Sequence, residues 1–397
     1  MKNKIYISEP GIICSAGTSL QDAWKNILSG NQSGIKKVLT STGEEFFAAR
    51  VDDEKLSSSK GRYDMRIIKL ENAALEQIRA AVEKAVEMFG KKRIGVCVGS
   101  CDNGSEFSVE SHKVFFNTNS FPQNYNLEIQ SADYPATFVK EKFSLEGPAL
   151  AFSTACSSSA AAIIKAAQLI ESNICDAVIA GGADVASDTV LLGFNSLEAV
   201  SNEITNPFSA NRKGITLGEG ASFFVLSKDR ICSDGIFLAG YGESADAYHM
   251  TSPDPEGTGA ETAMKNALLK SEISCSEIGY VNLHGTGTRL NDSMEAKAVS
   301  RIFSSFKVPC STTKAVTGHT LGAAAAIEAA VCYMALKTQE LPVQVWDKIF
   351  DKEIPELNFI DNELSKNNLN KINYALSNSF AFGGSNASLV LGRDCFE

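Results

Sequence analysis

Two kinds of segment alternate along most of this 397-residue chain, and the alternation limits the folds that it can adopt. Short apolar runs such as RIGVCVGS, DAVIAGGA, ASFFVLS and ASLVLG are typical of buried strands. Ala-rich stretches such as SSAAAIIKAAQLIES and GAAAAIEAAVCYMALK lie between them and favour helices. Strands that alternate with helices predict an α/β protein with mixed or parallel sheets covered on both faces.

One local pattern occurs twice. In each case a strand leads through a turn of small residues into an Ala-rich helix. The first turn carries Cys156, and the second carries Lys314 and His319. The repetition predicts two similar α/β halves that share one site, an N-terminal half of residues 1–235 and a C-terminal half of residues 236–397.

Composition and charge disfavour several classes of protein. Hydrophobic residues form 44% of the chain, enough for a large core, and the net charge of −10 without a basic run disfavours nucleic acid as a partner. Apolar runs are shorter than the ~20 residues of a membrane-spanning helix, and the first one is too short for a secretory signal. The ten cysteines form no paired CxxC motif, which favours free thiols over a metal site. We therefore expect a soluble cytoplasmic protein without a metal, a membrane or a nucleic-acid partner.

Cys156 lies where a predicted strand meets a predicted helix. The segment ALAFSTACSSSAAAI indicates a buried strand, a turn of small residues and a helix that starts near Ser157. The N-terminus of a helix offers free N–H groups and the positive end of its dipole, and both favour a thiolate. A lone cysteine in such a place is more often a buried packing residue. Two further motifs weigh against that alternative.

Two of the four histidines lie in turns of small residues. VNLHGTGTRLND predicts a strand that ends at His284, followed by a loop in which Thr286 and Thr288 can bind a polar substrate arm. KAVTGHTLGAAAAIEA places His319 at the start of the second Ala-rich helix, five residues after Lys314. Either histidine alone could be structural, but the two together with the cysteine turn indicate a shared catalytic site.

These motifs resemble those of a known family. TACSSS, HGTGT and KAVTGHTLGAAAAIE are similar to the three signatures of β-ketoacyl-acyl carrier protein synthases, the condensing enzymes of the thiolase superfamily. PFSANRKGITLGEGA, NSFAFGGSNASLVL and the N-terminal IYISEPGIICSAG resemble further family segments. The resemblance implies a thiolase-like α/β fold, in which two similar halves form a layered α-β-α-β-α architecture.

The resemblance also implies a mechanism. Cys156 would accept an acyl group from a thioester on a phosphopantetheine arm, while the backbone N–H groups of Cys156 and Phe382 hold the oxyanion. His284 and His319 would bind the carbonyl oxygen of a malonyl thioester and stabilise the enolate that forms as CO2 leaves. The enolate would then attack the acyl-cysteine. The substrates are carried on acyl carrier protein, so no further cofactor is implied.

The resemblance assigns supporting roles to four charged residues. Lys314 matches the family lysine that supports the histidine site, and Glu328 matches its carboxylate partner. Asp292 and Glu295 are expected to anchor the HGTGT loop to the following helix. A pair of histidines indicates an elongating synthase, because related thiolases use a second cysteine and chain-initiating synthases use an asparagine.

A basic segment, SSSKGRYDMRIIKLENAALEQI, suggests where the carrier protein docks. It contains Lys60, Arg62, Arg66 and Lys69, and the last three share one face if a helix begins near Arg62. Such a patch could bind an acidic carrier protein and the phosphate of its arm, and a solvated helix face is the alternative. Because members of the family are dimers, we expect a homodimer or a heterodimer with a related ketosynthase-like chain.

Four residues depart from the family pattern. Ala381 replaces a common Gly in the Phe-rich gating loop, Ile215 replaces a frequent aromatic residue, and Lys213 replaces a common acidic one. Asp102, in VGSCDNG, stands where relatives often carry an apolar residue that lines the acyl tunnel. The departures suggest an acyl pocket unlike that of saturated fatty-acid elongation, as in a specialised polyketide or polyene pathway.

Other functions fit the pattern less well. A thiolase needs a second catalytic cysteine in the Phe-Gly-Gly region, which here reads FAFGGSN. Hydrolysis needs water at the acyl-cysteine, which the sequence leaves open. A pocket-shaping partner subunit, similar to a chain-length factor, typically lacks the nucleophile, whereas Cys156 and both histidines are present. The sequence therefore predicts an acyltransferase, a β-ketoacyl-acyl carrier protein synthase, and leaves the acyl group, the extender unit and the partner chain open.

Overall fold

The computed structural model of the protein describes residues 4–58, 61–102, 104–304, 306–366 and 371–394. The strands in these ranges are β1 Ile5–Ile7, β2 Gly11–Cys14, β3 Ile35–Leu39, β4 Glu45–Ala49, β5 Ile94–Gly99, β6 Ala149–Phe152, β7 Ala177–Asp184, β8 Leu217–Gly218, β9 Gly220–Ser227, β10 Ile236–Ala245, β11 Ile278–Asn282, β12 Pro309–Ser311, β13 Asn358–Phe359, β14 Tyr374–Phe380 and β15 Ser385–Arg393. The helices are α1 Leu20–Leu28, α2 Arg66–Gln77, α3 Arg79–Phe89, α4 Ser105–Thr118, α5 Tyr134–Lys142, α6 Ser158–Glu171, α7 Asp188–Ser196, α8 Thr258–Ser271, α9 Arg289–Ile302, α10 Lys314–Thr317, α11 Ala324–Thr338 and α12 Asn362–Lys366.

Twelve of the strands form one continuous sheet. Its order is β13-β12-β11-β14-β15-β10-β1-β9-β7-β5-β6, and β2 also pairs with β9. The short strand β1 pairs antiparallel with both β9 and β10 and so joins the strands of the two halves of the chain. Parallel pairs occur in both halves, between β5 and its neighbours β6 and β7, and between β11 and its neighbours β12 and β14. Parallel neighbours need crossover connections, and helices supply them.

Alternate residues of the central strands face different helix layers. In the N-terminal half, Cys97 and Val178 pack in a core shared with α6 and α11, whereas Val96 and Ile179 pack with α2, α3 and α5. This alternation follows from the two-residue period of a strand, and it explains why these strands are apolar on both faces.

The C-terminal half is covered in the same way. Leu389 faces the core shared with α6 and α11, and Val390 packs with α8 and α9. The layers are therefore outer helices, sheet, the α6 and α11 pair, sheet, and outer helices. This confirms the predicted layered α/β class.

The central helix α11 is buried on every side and apolar apart from Glu328 and the residues at its C-terminal end. The stretch Leu321–Thr338 is long and apolar enough to cross a membrane by composition, yet 89% of it is buried inside the protein. A helix that is hydrophobic all round belongs in the core of a large protein, and here it is enclosed by the two halves of the sheet.

A second, three-stranded sheet has the order β3-β4-β8 and was not anticipated from the sequence. Its buried residues Phe46, Ala48 and Leu217 pack with Ile215 and Leu321. Next to β8, the backbone of His319 donates to the carbonyl oxygen of Thr216 at 2.8 Å, and the N–H of Gly218 donates to the carbonyl oxygen of His319 at 2.9 Å. The small sheet thereby fixes the backbone of a predicted site residue.

Candidate active site

Cys156 lies in a 3₁₀ turn, Ala155–Ser157, between β6 and α6. The preceding residue, Ala155, has a φ of +52°, which bends the chain sharply before the helix. A Cβ at Gly99 would come within 2.4 Å of the backbone of Ser158 and Ser159, so the end of β5 packs directly against the first turn of α6. The predicted strand–turn–helix is present, and the α-helix itself begins at Ser158.

Burial dominates the acidity of the nucleophile. Cys156 is only 5% exposed, and desolvation raises the pKa of its thiol to about 11. The charge of Lys314 and the backbone N–H groups of Phe382 and Cys156 act in the opposite direction and lower this pKa. The expected thiolate is therefore not the resting form at neutral pH. The two N–H groups at the sulfur are those that the family resemblance assigns to the oxyanion.

The ring of His319 is oriented by its two nitrogen contacts. Its Nε2 lies 3.1 Å from the Cys156 Sγ, and its Nδ1 accepts a hydrogen bond from the backbone N–H of Leu321 at 3.2 Å. A nitrogen that accepts from an N–H group cannot also carry a proton. In the neutral ring the hydrogen is therefore on Nε2, which points at the sulfur as a donor.

The ring of His284 has the same tautomer for a different reason. Its Nδ1 lies 3.3 Å from the Nζ of Lys314, and an ammonium group can only donate. Its Nε2 is buried and has no hydrogen-bond partner among the described residues. The two imidazole rings lie 5.3 Å apart at 88°. The Cys156 sulfur and one ring nitrogen of each histidine lie within 4.8 Å of one another, so both rings stand next to the predicted nucleophile.

A buried ion pair stands behind the histidines. Lys314 in α10 donates to Glu328 in α11, and the two side chains are 1% and 3% exposed. Burial raises the pKa of Glu328 to about 7, and the charge of Lys314 opposes this rise. Burial and the charge of Lys314 also hold the pKa values of His284 and His319 well below their usual range, so both rings are neutral hydrogen-bond donors at physiological pH.

Cys156, His284 and His319 have the residue types of a zinc site, but their hydrogen bonds do not suit one. A ligating histidine normally donates its second ring N–H to a carboxylate or a carbonyl group. In both of these rings Nδ1 faces a donor, Leu321 N–H in one and the Lys314 ammonium in the other. The Nε2 atoms therefore carry hydrogens and cannot offer lone pairs to a cation. The absence of a metal stays a prediction that this chemistry favours.

Two buried carboxylates hold the HGTGT loop, as the sequence predicted. Glu295 accepts from the backbone N–H groups of His284 at 2.8 Å and Gly285 at 2.7 Å. Asp292 accepts from the N–H groups of Phe208 at 2.7 Å and Gly287 at 3.2 Å. Both carboxylates belong to α9 and accept hydrogen bonds from backbone N–H groups of the loop. The position of His284 therefore depends on the helix that follows the loop.

A cavity of about 430 Å³ leads to this site. Its inner end contains Cys156, His284 and His319, and its wall contains Thr286 and Thr288, whose hydroxyl oxygens are 3.0 Å apart. Other residues that line the cavity are Phe382 from the turn after β14, Ile215, which departs from the family pattern, and the cations Arg212, Lys213 and Arg289. The structure thus brings together every residue that was predicted for catalysis or for binding the substrate arm.

The sequence analysis missed the residues that hold the Phe382 turn. Asn386 donates to Asp246 at 2.6 Å, the N–H of Asp246 donates to the carbonyl oxygen of Gly384 at 2.9 Å, and both side chains line the cavity. Asn386 lies in the recognised NSFAFGGSNAS segment. Asp246 lies 140 residues earlier in a segment without a motif, so no local signal could have identified it.

The docking prediction fails for Arg66. Helix α2 begins at Arg66 and not near Arg62, so the three cations do not share one helix face. The Arg66 side chain is 12% exposed and bonds the buried Glu219 at 2.5 Å and also Asp53. It is a structural ion pair and is not available to a partner. Lys60 lies outside the described residues.

The other two cations of the segment also have acidic neighbours. Arg62 bonds Glu128 at 2.8 Å and Glu141 at 2.5 Å, and Lys69 bonds Asp64 at 2.9 Å. Exposed pairs of this kind contribute little to stability and exchange readily. Docking through Arg62 and Lys69 therefore stays a prediction, with a weaker basis than the sequence suggested.

Comparison with known protein families identifies the chain. Residues 2–230 match the N-terminal domain of β-ketoacyl synthases, and residues 237–345 match their C-terminal domain. The chain therefore belongs to the β-ketoacyl synthase family, as its motifs indicated.

Individual relatives cover almost the whole chain. It is 32% identical to 3-oxoacyl-[acyl-carrier-protein] synthase 2 of Coxiella burnetii, over 99% of both proteins. It is 29% identical to nodulation protein E of Rhizobium meliloti, over 98% of this chain and 99% of that protein.

Solved structures agree with the family. The fold matches a chain in the complex of a ketosynthase with its chain length factor from Xenorhabdus doucetiae, with a TM-score of 0.90 and 37% identity over 99% of this chain and 98% of that one. It also matches a β-ketoacyl synthase from Burkholderia phymatum STM815, with a TM-score of 0.85 and 26% identity over 99% of this chain and all of the other. The layered α/β fold is that of ketosynthases.

Proposed function

We propose that this protein is a β-ketoacyl-acyl carrier protein synthase, an acyltransferase that forms a carbon–carbon bond by decarboxylative condensation in fatty acid or polyketide biosynthesis. One observation carries the proposal: a cysteine sulfur and two neutral histidine N–H donors converge at the inner end of one cavity. Full-length similarity to relatives named 3-oxoacyl-acyl carrier protein synthases supports it.

In the first half-reaction Cys156 takes the acyl group. The sulfur attacks the thioester carbonyl, and the developing oxyanion accepts hydrogen bonds from the N–H groups of Cys156 and Phe382. One such donor typically contributes about 3–4 kcal/mol to the transition state. When the intermediate collapses, the carbon–sulfur bond to the arm breaks and the thiol proton passes to the departing sulfur. The arm lies along Thr286 and Thr288 in the cavity wall.

In the second half-reaction the malonyl thioester loses CO2. Its carbonyl oxygen accepts hydrogen bonds from the Nε2–H groups of His284 and His319, which stabilise the enolate left by the departing CO2. The enolate carbon then attacks the acyl-cysteine carbonyl, the carbon–sulfur bond breaks, and the cysteine sulfur leaves as a thiolate that takes up a proton from solvent. Both rings stay neutral throughout, because burial and Lys314 lower their pKa values. Lys314 and Glu328 are positioning residues that fix the tautomer of His284.

The carrier protein docks, in this proposal, over the mouth of the cavity. Lys213 and Arg289 lie on its rim, and the Lys213 side chain is 51% exposed and pairs with Glu203 at 2.7 Å. An acidic carrier would replace that carboxylate. Arg62 and Lys69 can extend the same contact only if the carrier displaces their acidic neighbours.

The subunit partner is proposed to pair along β6. This strand is the last in the large sheet, and its residues are partly exposed, which leaves an open edge for pairing. Helix α4 also exposes apolar side chains, Val109, Val114 and Phe116, the last of them 82% exposed. A homodimer or a heterodimer with a related ketosynthase-like chain would cover this surface. The Xenorhabdus structure is named as a complex of a ketosynthase with its chain length factor, and that pairing supports the heterodimer.

Two further parts of the proposal concern organisation and location. We keep the division into residues 1–235 and 236–397, which falls between β9 and β10. A cytoplasmic location is supported by the nine cysteines among the described residues, all of which are free.

Intact mass spectrometry tests the proposal. Wild-type protein, Cys156→Ala and the control Cys275→Ala are incubated with acyl carrier proteins that bear different acyl groups. The acyl adduct should appear on wild type and on Cys275→Ala, and malonyl carrier protein should then release CO2 and yield the β-ketoacyl product. An adduct that survives in Cys156→Ala would refute the assignment of the nucleophile. No adduct from any carrier would favour the alternative, a pocket-shaping partner subunit.

A further inference from the structure

The two N–H groups that are proposed to hold the oxyanion come from segments far apart in sequence. One belongs to Cys156, in the turn between β6 and α6, and the other to Phe382, in the turn between β14 and β15. Both act on the Cys156 sulfur, whose pKa they lower. An oxyanion gains from both donors only if both point at the position that the oxygen will occupy. The relative position of the two turns therefore affects the rate of each step that passes through an oxyanion.

A pair of serine hydroxyls joins these turns. The Ser157 hydroxyl lies 3.2 Å from the hydroxyl oxygen of Ser385 and is oriented to donate to it. Ser157 directly follows the nucleophile, and Ser385 begins β15, immediately after the turn that carries Phe382. Among the described residues, this is the only hydrogen bond between the two turns that does not involve the reacting sulfur. We call Ser157 and Ser385 the serine clasp.

Each serine of the clasp is also bonded within its own turn. Ser157 is 1% exposed, and its hydroxyl lies 2.9 Å from the carbonyl oxygen of Thr154 and 3.0 Å from the Thr154 hydroxyl. The carbonyl oxygen of Ser385 accepts from the N–H of Ala381 at 2.9 Å, which closes the turn around Phe382. Since both turns are held internally, the bond between the two hydroxyls fixes one backbone relative to the other.

A different segment holds the far side of the Phe382 turn. The N–H of Gly383 donates to the carbonyl oxygen of Met250 at 2.7 Å, and the N–H of Asp246 donates to that of Gly384 at 2.9 Å. These bonds attach the turn to the loop after β10 and not to the nucleophile. Loss of the clasp therefore leaves both turns folded but lets them shift relative to each other. A shift of about 1 Å in a reacting group can slow a reaction about a hundred-fold.

We propose that Ser157 and Ser385 are positioning residues that keep the two oxyanion donors aimed at one oxygen. The inference rests on the proposed ketosynthase function, because the oxyanion forms when Cys156 attacks the thioester and again when the enolate attacks the acyl-cysteine. Loss of CO2 from the malonyl thioester relies on the two histidines and does not use these donors. The serine clasp therefore affects acyl transfer and condensation and takes no part in decarboxylation.

The test measures these steps separately in Ser157→Ala, Ser385→Ala and wild type. Intact mass spectrometry follows the rate of adduct formation on Cys156, with the acyl carrier protein that loads wild type fastest among those used to test the proposed function. CO2 release is measured with malonyl carrier protein in the absence of an acyl donor. Each variant should form the adduct more slowly than wild type by about ten-fold or more and should release CO2 at the wild-type rate.

A double variant tests whether the two serines act as one unit. If they act only through their shared hydrogen bond, Ser157→Ala/Ser385→Ala should be no slower than the slower single variant. Ser385→Thr keeps a hydroxyl on the same carbon and should restore the rate that Ser385→Ala loses. Ser271→Ala is the matched control, because the Ser271 hydroxyl bonds carbonyl oxygens of its own helix α8, and its rates should equal those of wild type. Thermal melting checks that each variant is folded.

The outcomes distinguish this inference from the proposed function. Equal losses of adduct formation and CO2 release in a folded single variant would indicate a general structural role and overturn the positioning role. Wild-type adduct rates in both single variants, or additive losses in the double variant, would also overturn it while the ketosynthase function stands. If wild type forms no adduct with any carrier protein, the proposed function fails and this inference fails with it.

Discussion

Replacing Lys314 with methionine removes the positive charge that pairs with the buried Glu328 carboxylate. Lys314 and Glu328 form an ion pair that is almost completely buried, and the Lys314 Nζ also lies 3.3 Å from the Nδ1 of His284. Methionine has a similar length and fills the same space without a donor. The substitution therefore leaves Glu328 buried without a partner and His284 without a fixed tautomer.

The loss of stability should depend on pH, and its sign follows from the pKa of Glu328. Burial raises that pKa from 4.5 to about 7 while Lys314 is present. Between pH 4.5 and about pH 7, Glu328 is protonated more often in the folded protein than in the unfolded chain. The contribution of Glu328 to the free energy of unfolding therefore falls as the pH rises through this range. Without Lys314 the pKa of Glu328 rises further, and the decline continues above pH 7. Above pH 7 the difference in free energy of unfolding between wild type and Lys314→Met should grow by about 1.4 kcal/mol per pH unit. It should reach about 3 kcal/mol two pH units higher.

Urea unfolding at about pH 6 and about pH 9, at fixed protein concentration, measures this gap. The double variant Lys314→Met/Glu328→Leu is the matched control. Its difference from wild type in free energy of unfolding should not increase above pH 7. In the single variant, decarboxylation of malonyl carrier protein should fall about a hundred-fold, while the acyl adduct of Cys156 still forms. An equal loss of stability at both pH values would refute the account of the buried pair.

The histidines and the nucleophile give three more expectations. His284→Asn should lower CO2 release about a hundred-fold and spare acylation of Cys156, whereas His319→Asn should impair both, because its Nε2 lies 3.1 Å from the sulfur. CO2 release should have no inflection near pH 6.5, because both histidines have pKa values well below that range; an inflection there would mean that one of them titrates. Alkylation of Cys156 by iodoacetamide should accelerate about ten-fold per pH unit up to about pH 10, since its thiol pKa is about 11, and a plateau near pH 8.5 would contradict this burial effect.

Local patterns in the sequence were sufficient to predict which residues meet in one site. Cys156 and His284 each follow a short apolar strand and precede a helix, and His319 lies between the one-turn helix α10 and α11, so local chain geometry fixes where each side chain emerges. The layered architecture followed from the alternation of strands and helices together with the family resemblance. These features are predictable because the residues that define them are neighbours in sequence.

Contacts between distant segments were not predictable in this way. Arg66 looked like a surface cation on a helix, but its partner Glu219 lies 153 residues later and draws it into the protein. The Asp246–Asn386 bond spans 140 residues and left no motif at its first member. In both cases a polar residue takes its role from a partner that only the tertiary fold supplies.

The acidity of Cys156 differs from the sequence expectation for a related physical reason. The turn places the sulfur at the start of α6, and the backbone N–H groups there lower its pKa as expected. Depth of burial depends on the whole fold, however, and desolvation in the middle layer outweighs those groups. The start of a helix therefore does not by itself make this buried thiol a thiolate.

The two donor sets of the site are built by different means, and this difference determines how each can fail. The N–H groups of Cys156 and Phe382 belong to the backbone, so no substitution that preserves the turns can remove them. The Nε2–H groups of His284 and His319 exist only because their Nδ1 atoms face a donor, the Lys314 ammonium in one ring and a main-chain N–H in the other. A chain that kept both histidines but lost Lys314 would retain the residues of the enolate site without its fixed hydrogen pattern. The enolate site therefore depends on three side chains, and the motif that names only the two histidines understates it.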